Sequence, residues 1–160
     1  MAAKSKVISL IAAALISLLP RAAASSEEQL EWIGWSDEAA ASLVYGIADS
    51  DHVIFSLACQ QRAGPVMLVY PHEPKGAMDG AFYSLELRAG DHRLAIRAKG
   101  VRIEMDDLFI LEGEVQRKAD LQRLLGEGET LSVTVGQDVT ELPLAGAADA
   151  GAVFLENCGR

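Results

Sequence analysis

FYSLELRAGDHRLAIRAKGVRIEMD, residues 82–106, decides the fold class. Tyr83, Leu85 and Leu87, then Leu94, Ile96 and Ala98, then Val101, Ile103 and Met105 alternate with polar or small neighbours. That period of two marks half-buried strands. Ala89-Gly90 and Lys99-Gly100 punctuate the run, and each predicts a two-residue hairpin. Across the first turn Arg88 then faces Asp91, Leu87 faces His92, Leu85 faces Leu94 and Tyr83 faces Ile96. Across the second, Ala98 faces Val101, Ile96 faces Ile103 and Leu94 faces Met105. Both registers place one apolar set on one face, and a one-residue slip would turn a whole strand's apolar set to water. The expectation is a three-stranded antiparallel meander over 82–106.

The same registers arrange the outward face in rows. Phe82, Arg97 and Arg102 share one row, followed by Ser84, Ala95 and Glu104, then Glu86, Arg93 and Asp106. Arg93 falls between two acids and is neutralised there. Phe82 with Arg97 and Arg102 forms a candidate binding patch, since aromatic and arginine side chains are favoured interface anchors. The alternative is a solvated sheet face with a cation–π contact.

Working outward from the meander, residues 30–35 form a short first strand carrying Trp32 and Trp35. In 53–60, Val53, Phe55, Leu57 and Cys59 alternate with Ile54, Ser56, Ala58 and Gln60, so Cys59 points with Phe55 into the core. A turn over 61–65 leads to a strand over 66–70. Residues 71–80, with two prolines and two glycines, read as a surface loop. Residues 108–115 begin apolar on both faces and predict a central strand. The period then changes: Leu121, Leu124 and Leu125 have helical spacing, with Gly126 as terminator. Strands follow over 130–135 and 139–144. Ala147, Gly151, Phe154 or Leu155, and Cys158 form one face of a closing helix. The expected class is mainly β with minor α: an antiparallel β-sandwich or rolled sheet with a C-terminal helix and one disulfide.

Lys4 and Lys6, the apolar run 7–19 and Ala22-Ala23-Ala24 have the layout of a cleavable export signal, with a cut between Ala24 and Ser25. The 13-residue run is shorter than the ~20 residues that span a bilayer; an uncleaved anchor is the alternative. Residues 1–24 are thus expected to be a signal peptide and 25–160 a single exported domain, periplasmic or secreted, with no stable membrane insertion afterwards. In an oxidising compartment two cysteines favour a Cys59–Cys158 disulfide. Losing Lys4, Lys6 and Arg21 leaves 11 basic against 23 acidic residues, a formal charge of −12. That balance argues against nucleic acid as partner and favours a protein partner, basic if charge selects it.

Signals for chemistry are sparse. No GxSxG nucleophile elbow or phosphate-binding glycine loop is present. His52, His72 and His92 lie in separate segments without metal-ligand spacing. Asp49-Ser50-Asp51-His52 offers oxygen and imidazole ligands but lacks the pattern of a calcium loop, and a polar turn is the simpler expectation. His72-Glu73, and Glu104 with Asp106-Asp107, are the remaining acid–base candidates. No cofactor, metal site or catalytic residue is assigned.

Taken in order, the chain has Trp32 and Trp35 at its start, FSLAC at 55–59, a meander, LxxLLGxGxxLxV at 121–133 and LPLAGA at 142–147 before a helix bearing Cys158. In this outline it resembles two exported bacterial families, the invasion-associated locus B family and a type VI secretion accessory family, without the extra cysteines of the first. The resemblance implies a periplasmic or secreted protein acting through protein contacts. The expected function is non-enzymatic binding of a protein or cell-wall component, in host interaction or support of a secretion system. One version is an inhibitor of a basic host enzyme. A small hydrolase or metal-dependent enzyme using His52, His72 or Asp106-Asp107 is the alternative, and an envelope assembly factor a third.

Overall fold

The computed structural model describes residues 29–60, 64–116 and 118–158; the expected signal segment lies outside them. Nine strands run β1 (Leu30–Ser36), β2 (Ala40–Ile47), β3 (Val53–Gln60), β4 (Val66–Pro71), β5 (Phe82–Ala89), β6 (His92–Ile103), β7 (Leu108–Val115), β8 (Thr130–Val135) and β9 (Asp138–Pro143). Helices α1 (Lys118–Gly126) and α2 (Ala147–Cys158) flank the last hairpin. All strands join one antiparallel sheet in the order β1-β2-β3-β4-β7-β6-β5-β8-β9. The sheet curls, so that inward side chains of distant strands meet. Trp32 on β1 donates its indole N–H to the carbonyl of Pro143 on β9 at 2.6 Å, and the Tyr70 hydroxyl on β4 donates to Thr140 Oγ1 on β9 at 2.6 Å.

Alternation sets the inner face. Leu43, Phe55, Leu57, Leu68, Leu85, Leu87, Leu111, Leu131 and Val133 are all buried in one core. Trp32 packs on Tyr45 and Phe55 at one end of it. Helix α2 closes that end, burying Ala147, Gly151, Phe154 and Cys158 against β1 and β2. It lies so close that a Cβ on Gly34 would sit 2.1 Å from the carbonyl oxygen of Ala150. Cys59 at the end of β3 is bonded to Cys158, with Cα atoms 5.8 Å apart. No helix among the described residues is long and apolar enough to cross a membrane.

The strands over 30–36, 53–60, 66–71, 108–115 and 130–135, both helices and the disulfide match the sequence expectations, and β7 is the central strand. The meander differs in two ways. Its first turn is Gly90-Asp91, not Ala89-Gly90: Ala89 pairs with His92, Leu87 with Leu94 and Leu85 with Ile96. Gly90 takes φ +52° at the first loop position, where a type II′ turn wants glycine. This moves the register by two residues and keeps the side chains of β5, and of β6 as far as Lys99, on their expected faces. The second turn is not at Lys99-Gly100. β6 continues to Ile103, and the chain reverses over 104–107, with Ile103 paired to Leu108. Gly100 is a strand residue because aromatic rings occupy its side-chain space: a Cβ there would lie 2.4 Å from the Phe109 ring and 2.9 Å from Tyr83. Asp107 supplies the left-handed turn residue instead, at φ +49°. The third strand of the meander is therefore β7, and the expected inward set of Val101, Ile103 and Met105 is not core: continuing β6 turns Val101 and Ile103 to the outer face, and Met105 is 95% exposed in the turn.

β2 has no separate expectation from sequence beyond its period of two. Its hairpin with β1 is closed by Asp37, whose Oδ1 accepts from the amides of Ala39 and Ala40 at 2.7 and 2.8 Å.

Candidate functional site

The outward face of the sheet is built by the same alternation that fills the core. Cross-strand register carries one row over seven strands: Ile33, Val44, Ser56, Val69, Glu112, Lys99 and Phe82. A parallel row runs Trp35, Ser42, Ala58, Met67 and Glu114. The face thus has two halves. Over β1–β4 these rows are uncharged, with Trp35 51% and Met67 37% exposed. The other half, on β5 and β6, carries Phe82 at 56% exposure with exposed Arg88, Arg93, Arg97 and Lys99. Glu112 and Glu114 on β7 separate the two.

Two of the three residues proposed as a patch come together. Phe82 and Arg97 are diagonal neighbours, and the Arg97 guanidinium lies over the Phe82 ring at 3.7 Å. Shallow grooves of about 440 and 460 Å³ border this pair, lined by Phe82, Ala95, Ile96 and Arg97, with Ser84 in one and Glu114 and Gln116 in the other. Arg102 does not join them. With no turn at Gly100, Arg97 and Arg102 are five residues apart on one strand, and an odd separation puts them on opposite faces. Arg93 likewise faces Arg88, not Asp106.

Arg102 instead fastens the 72–81 loop. Its guanidinium makes a two-pronged pair with Glu73, the second contact being Nη1 to Oε2 at 3.1 Å, and reaches Asp107 at 3.6 Å. Its backbone N–H donates to Asp79 Oδ1 at 2.8 Å. The hydrogen bond and charge of Arg102 hold the Glu73 carboxyl below its usual pKa, and Glu73 in turn raises that of Arg102. Further along the loop, the amide of Met78 donates to the Tyr83 hydroxyl at 2.8 Å, and Gly80 N–H to the Gly100 carbonyl at 2.8 Å. The loop 71–80 expected from sequence is thus a strapped surface segment that exposes Met78.

The histidines occupy three different places. His52 is exposed at the β2–β3 turn, where Ser50 Oγ accepts its amide at 3.1 Å. His72 stacks on Tyr70 and lies 3.3 Å from Asp138 Oδ2. Burial raises the Tyr70 phenol pKa above its usual 10.0, the Thr140 hydroxyl opposes, and the charge of Asp138 adds to the rise. His92 contacts Glu127 Oε2 at 2.6 Å, linking β6 to the end of α1. Asp106 and Asp107 lie in the exposed β6–β7 turn. Among the described residues no group of three or more His, Cys, Asp or Glu side chains is placed to hold a metal ion.

The uncharged half of the face is not resolved by sequence alone. Its rows require the register of β1 through β4 together, and the only local signal is the lack of charge at alternate positions from Ile33 to Val69. No protein-family model, curated protein or solved structure matches this chain.

Proposed function

We propose that this chain is a non-enzymatic protein of the cell envelope, exported on the 1–24 segment, and that it binds another protein across the outer face of its sheet. The observation that carries this is the pair of uncharged rows over β1–β4, ending in the exposed Trp35 and Met67, on a chain of formal charge −9. Aromatic and methionine side chains on a surface depleted of charge are the composition of an interface centre. The Cys59–Cys158 bond suits an oxidising compartment. The resemblance to the two exported families points the same way.

A photo-crosslinking residue placed singly at Trp35, Phe82 or Met78 of the full chain in its native host tests the proposal. A discrete adduct of one mass from Trp35 and Phe82, absent from Met78, is expected. No adduct from either sheet position overturns it, and an adduct from Met78 alone moves the contact to the 72–81 loop.

A further inference from the structure

We propose that the outer face of the β5–β6 hairpin is the docking surface for an acidic polypeptide segment; this deepens the binding role above and rests on it. Of the 14 lysine and arginine residues in a chain with 23 acids, Arg88, Arg93, Arg97 and Lys99 gather on two adjacent strands and one face. Arg88 and Arg93 are directly opposite, a pairing of like charges that weakens a hairpin in the absence of an anion. Among the described residues none of the four makes an ion pair, whereas Arg102 on the other face takes two carboxylates. Glu86 lies between these cations, and on β7 Glu112 stands opposite Lys99 with Glu114 beyond it, yet among the described residues none of the three forms an ion pair with them. The surface therefore presents four cations without an ion pair, one of them held over Phe82, within a molecule whose net charge is negative.

The spacing selects the class of partner. Lys99, Arg97, Ala95 and Arg93 occupy successive outward positions of β6, about 7 Å apart along the strand. An extended acidic peptide repeats its same-side groups at that interval. It would set carboxylates on Lys99, Arg97 and Arg93 and pass a small side chain over Ala95. The guanidinium fork donates two parallel hydrogen bonds to a carboxylate. Ser132, beside Arg88 in register, adds a hydroxyl at the far edge. A glycan fits less well. Stacking a sugar ring needs an open aromatic face, and Arg97 covers one face of Phe82 at 3.7 Å.

The test is fluorescence polarisation with a labelled peptide Glu-Ala-Glu-Ala-Ala-Ala-Glu, whose same-side groups are Glu, Glu, Ala and Glu, using the full chain after signal removal. Saturable binding is expected, weakening about tenfold as salt rises from about 50 to about 300 mM. The double variant R93E/R97E should lose at least about tenfold in affinity with its circular dichroism unchanged, and K75E on the loop should stay within about twofold. Equal binding by R93E/R97E overturns the inference, as does no binding by the native chain. A polyuronate oligomer that competes better than the peptide overturns the polypeptide class. Crosslinking at Trp35 and Phe82 without peptide binding defeats this inference alone. Loss of the crosslinks defeats the binding role itself.

Discussion

Replacing Cys59 and Cys158 together by alanine severs the covalent tie between the end of β3 and the end of α2. The cysteines are 99 positions apart. In the chain-entropy description a closed loop of that length costs the denatured ensemble about 4.7 kcal/mol at 25 °C. In the native state the change is smaller. Both sulfurs are buried, so their loss leaves a small cavity costing about 1 kcal/mol. Helix α2 keeps Ala147, Gly151 and Phe154 in the core. A domain of this size has about 5–15 kcal/mol in total, so the variant should fold but only marginally. Urea unfolding followed by the fluorescence of Trp32 and Trp35 reads the effect. With a slope of about 1–3 kcal/mol/M the midpoint should fall by roughly 2–6 M, and the slope should steepen as the freed chain exposes more surface. An unchanged midpoint and slope would refute the reasoning, because the loop would then not restrict the denatured state.

Gly34→Ala tests the native side of the same contact. Its Cβ would meet the Ala150 carbonyl oxygen at 2.1 Å, so α2 must move off β1 at a cost of about 1–3 kcal/mol. A melting temperature within error of the native chain's would show that the helix has room there. Glu73 should titrate below its usual 4.5, because ionised Glu73 is bound to Arg102. The unfolded chain then takes up this proton first as pH falls. The stabilisation from this contact is present above the ordinary carboxylate range and is lost as pH drops through the folded midpoint. Carbon-13 NMR of the Glu73 carboxyl should show the low midpoint, and Arg102→Gln should return it to the ordinary value. A midpoint indifferent to that substitution refutes the strap.

What alternation carries and what it omits explains how far the sequence reaches. A period of two assigns each side chain to a face, and that assignment survives any register shift of two residues. Leu85, Leu87, Leu94 and Ile96 are therefore core residues whether the turn is Ala89-Gly90 or Gly90-Asp91. Cys59 and Cys158 are equally legible, because each shares a face with its own apolar neighbours. Neighbour relations are different, since they depend on where each turn falls. Gly100 has the chemistry of a turn residue, yet its missing side chain makes room for Phe109 and Tyr83, rings that arrive from other strands. Nothing local to Lys99-Gly100 signals them. Once β6 runs through that position, the odd separation of Arg97 and Arg102 divides the expected patch between two faces. The uncharged rows are harder still, for they need four strands in register, one of them (β2) without a turn signal of its own beyond Asp37. Rows on a sheet are made of neighbours, whereas cores need only faces, and so most of the core of this chain is readable from its sequence while Val101, Ile103 and Met105, like the make-up of its outer face, depend on where the turns fall.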